Sequence, residues 1–155
     1  MPLTTEDRLD ILDLYAREAW ALDTGDADAY VALFAPDAVL DLAHKHAGHA
    51  AIHRFAEAFR ARDVGLPGSQ HHIDQLVLDG DGLTCSARAY VMRTYRMSGR
   101  GRNNTLIIWQ GYFTDRLVKH DGRWRIQEQV GRAWEGDVLA PVHQARRAVV
   151  SARAP

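Results

Sequence analysis

The sequence predicts an α+β domain in which helices pack into the concave face of a curled, mainly antiparallel sheet. Two observations predict it. Apolar residues recur at helical spacing up to about residue 60, and from Gln70 onward the chain reads as strands separated by glycine turns. Two of those strands, 83–97 and 104–119, are long, and long antiparallel strands twist and curl unless something flattens them. Helices first and a meander after them give two segregated layers.

Thr4 or Thr5 can cap a first helix whose opening turn carries Glu6 and Asp7, with Leu9, Leu12, Tyr15, Ala16, Ala19 and Trp20 at helical spacing before Gly25 stops it. Asp26 can cap a short second helix through Tyr30, Leu33 and Phe34, ending near Pro36. A strand is expected over Ala38 to Leu42. After Gly48, Ile52, Phe55, Ala56 and Phe59 form the apolar stripe of a third helix, which Gly65, Pro67 and Gly68 break. Strands follow at about 70–78, 83–97, 104–119 and 123–133, punctuated by Asp79-Gly80-Asp81-Gly82, a polar loop from Ser98 to Asn104, and Asp121-Gly122. Residues 1–137 are read as one domain. Residues 138–155, rich in Ala and Arg, form a tail that either covers a pocket or stays disordered.

A chain of 155 residues can bury roughly 68–70% of its unfolded surface without staples, enough for a core and a pocket. With 19 basic and 20 acidic residues the net charge is −1, so no broad field recruits nucleic acid or an anionic membrane. A small, largely apolar ligand fits better. The single cysteine, Cys85, excludes an intramolecular disulfide and reads as a small buried hydrophobe. Charges throughout Met1 to Leu22 exclude a signal peptide or membrane span there, so a cytoplasmic location is expected.

The wording of several segments resembles the SnoaL-like branch of the nuclear-transport-factor-two-like superfamily. The residues that carry it are Leu14-Tyr15-Ala16, Ala21-Leu22-Asp23-Thr24-Gly25-Asp26, Leu33-Phe34-Ala35-Pro36-Asp37-Ala38, Gly48 with Ala51-Ile52, Gln70-His71-His72-Ile73, Gly111-Tyr112-Phe113-Thr114-Asp115 and Asp121-Gly122-Arg123-Trp124-Arg125-Ile126. The resemblance implies a cone-shaped α+β barrel around one deep pocket. Within that superfamily the chain is similar to scytalone dehydratase and hexachlorocyclohexane dehydrochlorinase, which share an aspartate ending the first helix and a histidine opening a strand. Asp23 and His71 match those positions, and the resemblance implies elimination after removal of a carbon-bound proton, with no cofactor and no metal.

The chemistry is self-consistent. An imidazole can take a proton from carbon while a carboxylate fixes its tautomer and stabilises the imidazolium. Adjacent strand residues point to opposite faces, so only one of His71 and His72 can face the pocket; the family-like position directly after Gln70 selects His71. His44, His46, His49 and His53 form a cluster that lacks an acidic partner of the HExxH kind, and a solvated surface is the expected reading. The chain departs from scytalone dehydratase where two tyrosines that help activate water are replaced by Leu22 and Leu42.

Trp20, Tyr30, Phe34, Phe55, Phe59, Tyr95, Trp109, Phe113 and Trp134 supply aromatic area for core and pocket wall. Trp109 and Phe113 share a face with Gly111, which leaves space between them. Arg93 and Arg132 are read as exposed strand-face residues. The leading expectation is a lyase or isomerase of dehydratase or cyclase type, acting on a small hydrophobic, cyclic substrate with His71 as base and Asp23 as its orienter. Two alternatives remain: an enzyme resembling ketosteroid isomerase, with Asp41 moving the proton and Tyr15 donating, or a non-catalytic ligand-binding or assembly domain. A homo-oligomer, most simply a dimer, is expected through a convex face of Leu106, Ile108, Tyr112 and Val118.

Overall fold

The computed structural model describes residues 2–63, 69–97 and 104–135. The element order is α1 (Thr5–Thr24), α2 (Ala27–Val31), β1 (Phe34–Asp41), β2 (Lys45–Ala47), α3 (His49–Asp63), β3 (Ser69–Gly80), β4 (Thr84–Met97), β5 (Asn104–His120) and β6 (Arg123–Ala133). Six strands form one sheet in the order β2-β1-β6-β5-β4-β3. All pairings are antiparallel except β1 with β6. The edge strands β2 and β3 do not pair with each other, so the sheet curls around the helices as an open cone.

Helix α1 is fastened at both ends. Thr4 and Asp7 form a reciprocal capping box. Asp7 also accepts from Lys119 Nζ (2.7 Å) and Trp124 Nε1 (3.0 Å), which ties the first turn to the β5–β6 hairpin. At the other end Gly25 takes a left-handed conformation (φ 72°) and caps the last carbonyls, a backbone that only glycine adopts without strain.

The buried face of α1 differs from the expected stripe. Ile11, Leu14, Tyr15, Glu18 and Ala21 point inward, whereas Leu9, Leu12 and Trp20 are exposed, Trp20 by 72%. Both stripes are apolar at helical spacing, and the one that fills the cone carries an acidic residue. The second helix ends earlier than expected: Phe34 opens β1 instead of closing α2, because Leu33 N–H already bonds Tyr30 O and the chain then pairs with β6. Strand β2 was not anticipated. The later strands match their expected bounds closely, and Gly65, Pro67, Gly68, the 98–103 loop and the 138–155 tail lie outside the described residues.

Tyr30, Phe34, Leu40, Ile52, Leu117 and Ile126 are almost fully buried between helices and sheet. Cys85 is buried with them. Among the described residues no helix is long and apolar enough to cross a membrane.

Candidate functional site

Alternation along β3 decides which histidine faces inward. His71 and Ile73 line the interior, while His72 turns away and its Nε2 meets Thr94 Oγ1 at 3.1 Å. Asp23, in the last turn of α1, meets His71 twice. Its Oδ1 lies 2.6 Å from His71 Nδ1, and its carboxylate accepts the His71 backbone N–H at 2.9 and 3.2 Å. An ionised carboxylate only accepts, so Nδ1 carries the hydrogen, and in the neutral ring Nε2 is then the acceptor. The side chains are 11% and 18% exposed. The imidazole is packed against Phe59 (5.6 Å between ring centroids), and the Arg93 guanidinium lies 4.6 Å from the Phe59 centroid.

His71 opens onto a cavity of about 590 Å³, within the range of small-molecule sites. Tyr30, Phe55, Phe59, Val91, Trp109 and Phe113 form its apolar wall. A Cβ at Gly111 would collide with the Arg132 carbonyl and the Trp109 indole, so the glycine leaves the space that the Trp109 ring occupies. A β5 bulge between the Arg93 and Thr94 partners turns Ile108 toward the cavity beside Trp109. Ile108 therefore does not belong to a convex dimer face, and Val118 packs against the core.

The floor is polar, which the sequence reading missed. Glu18 (3% exposed) and Gln129 (1%) line the cavity, with Asp115 (4%) behind them. Tyr15 Oη donates to Asp115 Oδ2 at 2.6 Å and Gln129 Nε2 donates to the same oxygen at 3.3 Å. Burial pushes the Asp115 carboxyl up to about 7, against the lowering effect of those donors. Glu18 rises further, to about 8, through burial and the nearby Asp115 charge, with a hydrogen bond from Gln129 opposing. Glu18 Oε2 has no hydrogen-bond partner. Tyr15 and Tyr30 are both held well above the usual phenol range, chiefly by burial.

Three expected wall residues do not line this cavity. Trp20 borders a separate groove of about 760 Å³ outside α1, among Arg123 and the Asp13–Arg17 ion pair. Trp134 follows the inward Ala133 and therefore points outward, its ring edge-on to Tyr90 (5.3 Å) and Tyr112 (6.0 Å). Tyr95 stands opposite Ser69 and Leu106, beyond the cavity. Conversely, Arg93, expected on an exposed face, borders the cavity, whereas Arg132 is exposed as expected, with its side chain at the cavity rim paired with Asp41. Arg93 Nε donates to Ser69 Oγ at 2.7 Å.

Asp41 is engaged elsewhere. Its carboxylate pairs with Arg132 (3.2 Å) and Lys45 (3.6 Å), and Arg132 first, then Lys45, hold it below the usual carboxylate range. Tyr15 donates to Asp115, not into the cavity. The clustered histidines diverge: His46 lies against Phe55 (5.0 Å), His49 Nε2 meets Phe34 O (3.0 Å) and His53 meets Asp28 (3.0 Å). Among the described residues no three His, Cys, Asp or Glu side chains converge as metal ligands.

The SnoaL-like domain family matches residues 3–130. No curated protein matches the sequence. Solved structures share the fold. Rv3472 of Mycobacterium tuberculosis, a protein of unknown function, is 25% identical, covers 85% of this chain and 79% of its own, and has a TM-score of 0.75. Aln2 from a Streptomyces species is 22% identical over 92% of this chain and 99% of its own, with a TM-score of 0.76. A nuclear-transport-factor-two-like protein with a cystatin-like fold from Novosphingobium aromaticivorans is 23% identical over 88% of each chain, with a TM-score of 0.75.

Proposed function

We propose that this chain, which belongs to the SnoaL-like domain family, is a cofactor-independent lyase or isomerase acting on a small hydrophobic, cyclic carbonyl or hydroxyl compound. The observation that carries the reading is the 2.6 Å contact between Asp23 and His71 Nδ1 at the edge of an aromatic cavity. His71 Nε2 accepts the carbon-bound proton. Asp23 holds the reactive tautomer and offsets the charge of the imidazolium. The aromatic wall excludes water and selects flat, apolar ligands. The alternative base, Asp41, is weakened for that role by its two cationic partners.

The test is deuterium incorporation from heavy water into a panel of cyclic ketones, followed by NMR. His71→Ala is expected to lose at least about 10²-fold in turnover, the lower range for general base catalysis. Asp23→Asn should fall between that and wild type, the two losses should be less than additive, and His72→Ala should be close to neutral. Full turnover in both His71→Ala and Asp23→Asn would sink the dyad.

A further inference from the structure

The dyad supplies a base, but proton abstraction beside a carbonyl also needs something to receive the charge that develops on oxygen. Leu22 and Leu42 line the cavity and offer no such group. Glu18 fills that chemical gap from a different place. It projects from the buried face of α1 into the cavity floor, is 3% exposed, and its Oε2 has no partner. An unpartnered oxygen buried this deeply is costly unless a ligand engages it.

We propose that the Glu18 carboxyl is the proton donor of this site, binding the carbonyl oxygen of the substrate while His71 takes the proton from the adjacent carbon. The inference rests on the dyad reading above. Glu18 and Asp23 share one helix five positions apart, about 7.5 Å along its axis. Glu18 and His71 line the same cavity, so one ligand can meet both.

The proton count balances without a co-reactant. The C–H bond breaks, its proton passes to His71 Nε2, and its electron pair becomes the C=C bond of an enol. The carbonyl π pair takes the Glu18 proton and forms the enol O–H, leaving a carboxylate and an imidazolium. Return of the oxygen's proton to Glu18 and delivery of the imidazolium proton to carbon complete an isomerisation or exchange.

The surroundings hold the Glu18 carboxyl above that of Asp115. Asp115 faces it from β5, where burial lifts it to about 7 while hydrogen bonds from Tyr15, from Gln129 and from the Val130 backbone oppose that rise. Tyr30 faces it from α2 and Gln129 from β6. His44, His46, His71, Arg93 and Arg132 border the same cavity. Burial and the Asp115 charge both favour the protonated carboxyl, up to about pH 8.

β-Tetralone serves as the probe, with exchange of its α-protons followed in heavy water across about pH 6–9. Glu18→Gln keeps the size and a hydrogen-bond donor but has no transferable proton. It is expected to lower kcat by at least about 10²-fold with a smaller change in KM. Wild-type kcat should fall as pH rises through about 8, and the variant should lack that fall. Glu18→Asp should recover part of the loss. Wild-type kcat and an intact alkaline fall in Glu18→Gln, with His71→Ala inactive, would overturn the role of Glu18 and leave the dyad standing. The reverse pattern, Glu18→Gln inactive and His71→Ala active, would overturn the dyad. Infrared spectroscopy reads the carboxyl without turnover: a protonated carboxyl stretch, assigned by its loss in Glu18→Gln, should shift when β-tetralone is added at neutral pH. A missing or unmoved band would refute the proposal.

Discussion

Replacing Glu18 by glutamine should stabilise the protein, and increasingly so as pH rises. Burial and the Asp115 charge raise the Glu18 carboxyl from 4.5 to about 8. Below pH 4.5 neither the folded nor the unfolded chain ionises this group. Between 4.5 and about 8 the unfolded chain releases a proton that the folded chain retains, so stability is lost as pH rises; above about 8 the penalty is constant. At about 1.4 kcal/mol per pH unit, that interval corresponds to on the order of 5 kcal/mol at its plateau and about 3 kcal/mol at pH 7. Glutamine does not ionise and escapes the penalty. Its own costs, such as an altered hydrogen bond to Gln129 of about 1 kcal/mol, apply at every pH and cancel between two pH values. Asp115 titrates in both proteins and cancels to first order. Urea unfolding of wild type and variant at about pH 5 and about pH 8 should show the advantage of the variant growing by about 3–4 kcal/mol. A difference that is the same at both pH values would refute the reasoning, because it would mean Glu18 ionises as easily in the folded chain as in the unfolded one.

Gly111→Ala should destabilise by about 1–3 kcal/mol, the usual range for overpacking, because its Cβ would meet the Arg132 carbonyl and the Trp109 ring. Thermal unfolding checks the loss, and an unchanged melting temperature would show that the sheet yields there at no cost. We also expect a dimer through the outward face of the sheet, where Tyr90 is 53% exposed beside Trp134 and Tyr112 and where Ile107 is exposed. Sedimentation at tens of micromolar, about the concentration at which a stable interface is occupied, would refute this by showing a monomer.

The strand boundaries were legible because glycine turns punctuate them, and the long strands carry their own curl. Asp23 and His71 were legible only through resemblance, since they lie 48 positions apart and nothing local joins them. Helix α1 shows the limit. Two apolar stripes compete on it, and the one read from the sequence, with Leu9, Leu12 and Trp20, passes over Glu18. The correct stripe was available in Ile11, Leu14 and Ala21, and on it Glu18 stands out as an acid among apolar neighbours. Asp115 alternates with Phe113 and Leu117 in the same telling way on β5. Aromatic residue type could not say that Trp134 points outward, because one position past Ala133 reverses the face. Nor could it foresee the bulge that turns Ile108 inward, since a bulge depends on how two strands register.

Because α1 is bonded to the β5–β6 hairpin through Asp7 and to β3 through Asp23, it behaves as a fixed ruler laid across the mouth and floor of the cone. Sliding it to admit a longer molecule would break contacts at both ends at once. The adjustable dimension is the opposite wall, where Val91 and Phe113 on β4 and β5 can be enlarged or trimmed singly. Exchanges there should alter ligand girth and leave ligand length alone, so efforts to redirect this protein toward bulkier molecules belong on the sheet.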